Sequence, residues 1–359
     1  MVGRSASTSQ VRTLLAGAYG AAVGGSRTRP PVIGTEHLLA SLVGPLRTGP
    51  AAQVLDEAGL TGTTVMTMLR RRATGSAAWQ VEEDSDPGGD DLPLTDLDWF
   101  KPGKRIHYTA AARAALHRAV AAATARGHVE PDGLHLLDGL LADGDNHAIE
   151  VLHACGVDPA QVRESLRGNG TAAADAVPPE LRPTRDALLG RRTYPTGPIS
   201  GPAFRGLSRV FAINLAGVPA MWVSLDARDQ ARRQGRRRPG TEHLVLAMLA
   251  THETLRHYPH LRSHDARQYV GGEVLDDAGV TYPGAIAASQ HPADLGTDAH
   301  PASWYTSRPR RIRSRPTGTG ELLLAILTQD DSRAANLLRL TGAHPARLRT
   351  HLRARLSAR

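Results

Sequence analysis

Two near-identical phrases hold the residues best suited to chemistry: Gly34-Thr35-Glu36-His37-Leu38-Leu39 and Gly240-Thr241-Glu242-His243-Leu244-Val245. Each puts a hydroxyl, a carboxylate and an imidazole at the head of an apolar-periodic run, on the first turn of a predicted helix. A carboxylate there can pair with a cation, bidentately if the cation is a guanidinium. The unpaired amides of the same turn attract an anion. The phrase also suits plain capping, with Thr accepting a first-turn N–H and Glu meeting the favourable end of the helix dipole. Both readings of Thr35, Glu36, Thr241 and Glu242 stand on the sequence.

Other reactive residue types lack the company that chemistry needs. His252, His257, His260 and His264 cluster in sequence, but no Cys or HExxH pattern accompanies them, so no metal is expected. Cys155 is the only cysteine, which excludes an intramolecular disulfide and suits a reducing compartment. No G-x-S-x-G surrounds a serine, and the string nearest to a phosphate loop, Gly318-Thr319-Gly320-Glu321, has no lysine. A non-enzyme without cofactors is expected.

The formal charge is +8, carried almost wholly by arginine, since lysine occurs only at 101 and 104. Such usage is typical of GC-rich coding. The positive charge concentrates at Arg232–Arg238, Arg308–Arg315 and Arg347–Arg359. Solvated helix faces explain it, with a nucleic-acid-associated regulator as the alternative. That alternative lacks a helix-turn-helix phrase and aromatic interleaving, so nucleic acid is not expected as a partner. The start of the chain has no apolar core of a signal peptide, and the longest apolar stretch, Val210–Leu225, is broken by Asn214 and Pro219. A cytoplasmic protein with no membrane span is expected.

The elements that must position these residues follow from internal repetition. Val54-Leu55-Asp56-Glu57-Ala58-Gly59 follows the first phrase and Val274-Leu275-Asp276-Asp277-Ala278-Gly279 the second, each reading as a helix closed by a left-handed glycine. Weaker copies run from Leu134-His135-Leu136-Leu137 to Cys155-Gly156, and from Gly318-Thr319-Gly320-Glu321-Leu322-Leu323 to Thr341-Gly342. Four repeats paired into two halves are expected. Aromatics at 4% and an Ala/Leu/Val core favour an all-α fold, with no sheet of three or more strands.

The first half is placed at 1–170, with repeats at about 8–72 and 109–168 around an acidic linker at 74–104. Glu82, Glu83, Asp84 and Asp86 fall in that linker, which is expected to pack poorly. An interdomain linker at 171–204 allows a short helix near Pro183–Arg192. The second half, 205–359, holds repeats at about 207–288 and 315–356. It has an extra segment at 251–270 and no convincing first helix in its last repeat.

The phrases beginning at Ile33 and Val54, with their degenerate second copy, resemble the Clp amino-terminal domain, the double four-helix repeat at the front of Clp unfoldases. The resemblance covers roughly 8–168 and 207–356, two such domains in tandem without the ATPase modules. It implies a recognition module that binds substrates, adaptors or small peptides of a Clp unfoldase or protease. It further implies docking of phosphoarginine-like tags, or of cyclic peptides. Glu36 and Glu242 would take the guanidinium, while Thr35, Thr241 and the helix-start amides would hold the phosphate. Repeats two and four carry Leu134 and Gly320 at the Glu position, so half the sites are lost. On this reading Glu36 is exposed, and Glu36→Ala removes a pair worth about 1.5–3 kcal/mol to a ligand. The fold would lose only about 0.3–1 kcal/mol.

Overall fold

The computed structural model describes residues 7–25, 32–44, 49–75, 78–86, 107–168, 177–192, 214–262, 265–291, 294–306 and 318–358. Helical apolar periodicity becomes helix nearly throughout, and the fold is all-α. Two compact units form, one from 1–174 with 206–213 and the other from 175–205 with 214–359. Each has its own Leu/Ala/Val core.

The first unit contains α1 (Ser7–Gly25), α2 (Thr35–Leu42), α3 (Pro50–Glu57) and α4 (Gly62–Ala73), then α5 (Ala110–Ala125), α6 (Gly133–Leu141), α7 (His147–Ala154) and α8 (Pro159–Leu166). In the second unit lie α9 (Arg182–Leu188), α10 (Pro219–Arg233), α11 (Thr241–His257), α12 (Val270–Asp277) and α13 (Tyr282–Ser289). They are followed by α14 (Ala302–Thr306), α15 (Thr319–Ile326), α16 (Arg333–Leu340) and α17 (Pro345–Ser357). The predicted helix ends hold. Gly59, Gly156, Gly279 and Gly342 have φ of 88°, 73°, 76° and 83°, where any side chain would be strained. Asp158 caps α8 through the Ala160 N–H at 2.9 Å. Among the described residues no helix is long and apolar enough to cross a membrane. Residues 307–317, which hold the Arg308–Arg315 cluster, lie outside the described residues.

Four expectations need correction. The segment expected to be a loose acidic linker is built into the first unit over 78–86. Ser85–Asp86 (β2) pairs antiparallel with His107–Thr109 (β3), and β3 pairs in parallel with Val32–Ile33 (β1). The resulting three-stranded ribbon, order β1-β3-β2, overturns the expectation of no sheet with three or more strands. Its strands of two or three residues form no layer of their own, and Ile33 and Tyr108 join it to the first unit's core. The expected interdomain linker likewise contributes to a core, because Val177, Leu181, Leu188 and Leu189 are buried in the second unit. The last correction concerns the helix starts, where Gly34 and Gly240 are the N-caps and Thr35 and Thr241 are the first helical residues.

Candidate functional site

The two Gly-Thr-Glu-His phrases build the same local structure. Gly34 and Gly240 are extended, with φ/ψ of −92°/177° and −92°/179°. Their N–H groups donate to Nδ1 of His37 (3.0 Å) and His243 (3.1 Å), so the histidine supplies the capping side chain. The Glu36 and Glu242 carboxylates fold back over these glycines, and a Cβ at either glycine would collide with them. Threonine is released from capping and reaches across to a second helix. Thr35 Oγ1 accepts from the Ala148 N–H at 3.0 Å, and Thr241 Oγ1 accepts from the Ala334 N–H at 2.9 Å. Two helix N-termini thus converge in each unit, α2 with α7 and α11 with α16.

A strap of chain fills the point of convergence. In the first unit Glu83 puts its carboxylate onto both helix starts, accepting from the Thr35 N–H (3.2 Å) and the His147 N–H (2.8 Å). It also accepts from the hydroxyls of Thr35 and of Thr109, the latter at 2.7 Å. In the second unit Asp298 does the same. It accepts from the Thr241 N–H (2.8 Å), the Thr241 hydroxyl (2.6 Å) and the Arg333 N–H (2.9 Å). Positive helix ends and free amides make each convergence an anion site, and the chain supplies the anion itself.

The cation position is filled in the same way. Arg333 Nε donates to Glu242 Oε1 at 2.8 Å, and Arg333 Nη1 donates to the Gly296 carbonyl at 2.8 Å. His147 occupies the matching place at the start of α7, with Nδ1 3.2 Å from Glu36 Oε2 and Nε2 2.9 Å from the Val81 carbonyl. In both straps the carbonyl that binds the cation lies two residues before the carboxylate that caps the helices. A carbonyl and a carboxylate are both acceptors, so His147 satisfies the two contacts together only as the imidazolium. Burial lowers the His147 pKa, but the Glu36 hydrogen bond and charge outweigh it, with help from Glu83, and the net shift is upward. Burial would raise the Glu36 carboxyl, yet His37 and His147 more than offset it and hold the group at about 2. Glu242, also pushed up by burial, is lowered by His243 and Arg333.

Glu36 and Glu242 are therefore 6% and 1% exposed, not open first-turn carboxylates. Residues that the sequence analysis missed complete the closure. The Trp79 ring stacks on His147 at 3.8 Å, and the Arg72 guanidinium lies over the other part of that arrangement, 4.4 Å from the Trp79 ring. Arg72 also pairs with Glu150 at 3.1 Å, while Glu150 takes the Gln80 and Val81 N–H groups at 2.8 and 2.5 Å. A usable signal existed in Asn146-His147-Ala148 and Ser332-Arg333-Ala334, each an N-cap residue, a cation and an alanine.

The degenerate repeats lack this set. At the start of α6, Asp132 caps its own helix through Leu134 and His135, and Leu134 lines a cavity of only about 40 Å³. At α15, Thr319 accepts from the Gly271 N–H at 3.0 Å and donates to the Gln268 carbonyl at 3.1 Å.

Glu36, Glu83 and His147 are the one metal-competent group among the described residues, with one ligand atom from each within 4.8 Å of the others. Glu83 already accepts four hydrogen bonds, and Arg333 stands in the second unit where His147 stands in the first. The site is accordingly an ion pair with a protein cation. The histidines at 252, 257 and 260 form no such group, and His264 lies outside the described residues. His252 and His257 lie along α11, roughly 15 and 22 Å from Glu242 at 1.5 Å per residue, and His260 follows the end of that helix. Cys155 closes α7 as a buried thiol pushed up to about 12, unsuited to nucleophilic work.

No curated protein matches the chain. Residues 107–192, from β3 through α5–α8 to just beyond α9, match the family model of the Clp repeat (R) N-terminal domain.

Proposed function

We propose that the chain is a non-catalytic, protein-binding component of a Clp unfoldase or protease system, acting as an adaptor or as a decoy. The observation that carries this reading is the match of residues 107–192 to the Clp repeat domain. The paired helix starts in both units support it, because each gathers an anion-holding and a cation-holding group within one small site. Such a site suits a zwitterionic tag such as phosphoarginine, its phosphate on the amides and its guanidinium on Glu36 or Glu242. The chain's own Glu83 with His147, and Asp298 with Arg333, stand in for those two charges. Entry of a tag then requires the strap to leave, so the resting protein holds its own sites shut.

Affinity capture of the full chain from its native lysate, read by mass spectrometry for Clp unfoldase and protease subunits, tests the reading. Enrichment of those subunits is the expected result. Capture without any Clp subunit would count decisively against it. ATP hydrolysis by the purified chain, abolished by a point substitution, would overturn the non-catalytic assignment.

A further inference from the structure

The second unit has a cavity of about 350 Å³ that none of the preceding chemistry uses. Its wall carries Arg228, Arg232, Arg237 and Arg238, with the hydroxyl-bearing Ser224 and Ser303. Among the described residues no carboxylate lines it. Arg228 and Arg232 are separated by four residues on α10, so their guanidiniums share one face, and like charges so spaced repel. The loop before α11 adds two more to the same space. No acidic side chain among the described residues pairs with Arg228, Arg237 or Arg238. The acids of α10 are engaged elsewhere. Asp226 accepts from Thr184 and Gln230, and Asp229 pairs with Arg192 and Arg233. Arg236, in the same loop, is the one that turns toward Glu242, at 3.8 Å.

The guanidiniums of Arg228, Arg237 and Arg238 around one cavity, without acidic partners among the described residues, raise the free energy of the empty state. An anion that bridges them removes that cost. Planar guanidiniums take phosphate oxygens in pairs, and serine hydroxyls donate to the same oxygens. A single phosphate would leave much of the positive charge unmatched, whereas a chain of two or three phosphates carries three to five negative charges. The volume falls at the small end of ligand pockets, roughly 300–1,000 Å³. Helix α10 anchors the wall, because Trp222 and Val223 are fully buried in the core.

We infer that this cavity is a binding site for a small polyphosphate group, such as inorganic tripolyphosphate or the phosphate tail of a nucleotide. The site is separate from the strapped helix starts, and the inference does not depend on a Clp partner.

The test is calorimetric titration of the full chain with sodium tripolyphosphate at low ionic strength. Two double variants are compared, Arg237→Gln with Arg238→Gln, and Arg347→Gln with Arg353→Gln on exposed positions of α17. Saturable one-to-one binding is expected, weakening with added salt because exposed charges are screened. The first double variant should lose at least tenfold in affinity at an unchanged melting temperature, and the second should bind as the parent does. Equal losses in both variants would reduce the effect to diffuse surface charge and overturn the inference. Absence of saturable binding at millimolar tripolyphosphate would overturn it as well. So would tighter binding of a short single-stranded oligonucleotide that the two variants weaken alike, since that is recognition of a nucleic-acid backbone across the surface.

Discussion

Glu83→Gln tests the strap most directly, because the substitution keeps the shape and removes only the charge and half the acceptors. The Glu83 side chain is 1% exposed and receives two backbone N–H groups and two hydroxyls. One N–H falls on each carboxylate oxygen, Thr35 on Oε2 and His147 on Oε1. Whichever way the glutamine amide turns, its NH2 faces one of these N–H donors. A hydroxyl can rotate and accept; a backbone N–H cannot. One buried N–H is thus left without a partner, at about 1–3 kcal/mol. The remaining bonds lose their charge assistance, about 1 kcal/mol each. The total is on the order of 4–6 kcal/mol. At about 2–4 °C per kcal/mol for a unit of this size, the first unit's melting temperature should fall by roughly 10 °C. Differential scanning calorimetry of the full chain reads this, with Glu82→Gln as control because Glu82 is the exposed neighbour in the same acidic run. A Glu83→Gln protein melting within about 2 °C of the Glu82→Gln control would show that Glu83 does not pin the two helices, and the reasoning would fail.

Four further outcomes follow from the same geometry. Because His147 is raised and bonds both acceptors only when protonated, its contribution is fully present below the unfolded value near 6.5 and is lost as pH rises through the folded value. The first unit's melting temperature should therefore decline above neutral pH in the parent but not in His147→Arg, which copies Arg333; a decline of equal slope in both refutes the assignment. At the acid end, Glu36 is held at about 2, so its contribution is present above 4.5 and fades as pH falls toward 2. The Glu36→Gln variant should lack that acid-side loss in a urea titration across this range. Glu242→Ala leaves the Arg333 guanidinium, 11% exposed, without its buried carboxylate, and should cost on the order of 3 kcal/mol of stability. This is opposite to the sparing of the fold expected for an exposed Glu, and chemical denaturation decides between them. Finally, phosphoarginine should bind the Glu83→Ala, His147→Ala double variant at least tenfold more tightly than the parent in calorimetric titration, since both surrogate charges are gone; equal binding would mean the strap does not compete with ligand.

Much of the architecture was already written in the sequence. Repeated phrases at Gly34, Gly240, Val54 and Val274 located the helix starts and ends, since caps and left-handed glycines are local features decided within a few residues. The all-α class followed from composition and periodicity, which are equally local. The candidate carboxylates Glu36 and Glu242 were legible too, as residues placed at a helix start.

What those carboxylates meet was decided only in three dimensions. His147 lies 111 residues from Glu36 and Arg333 lies 91 from Glu242, and no local rule joins them. The acidic run around Glu83 has the composition of a solvated linker, because composition counts apolar surface and misses hydrogen-bond demand. Two helix N-termini brought side by side present orphan amides that must find an acceptor when buried. Only the tertiary fold creates that demand, and it draws Glu83 and Asp298 out of segments that have no reason of their own to order. Thr35 shows the same physics at one residue: alone it would cap α2, but with α7 opposite, the Ala148 N–H claims its hydroxyl and Gly34 with His37 takes over the cap.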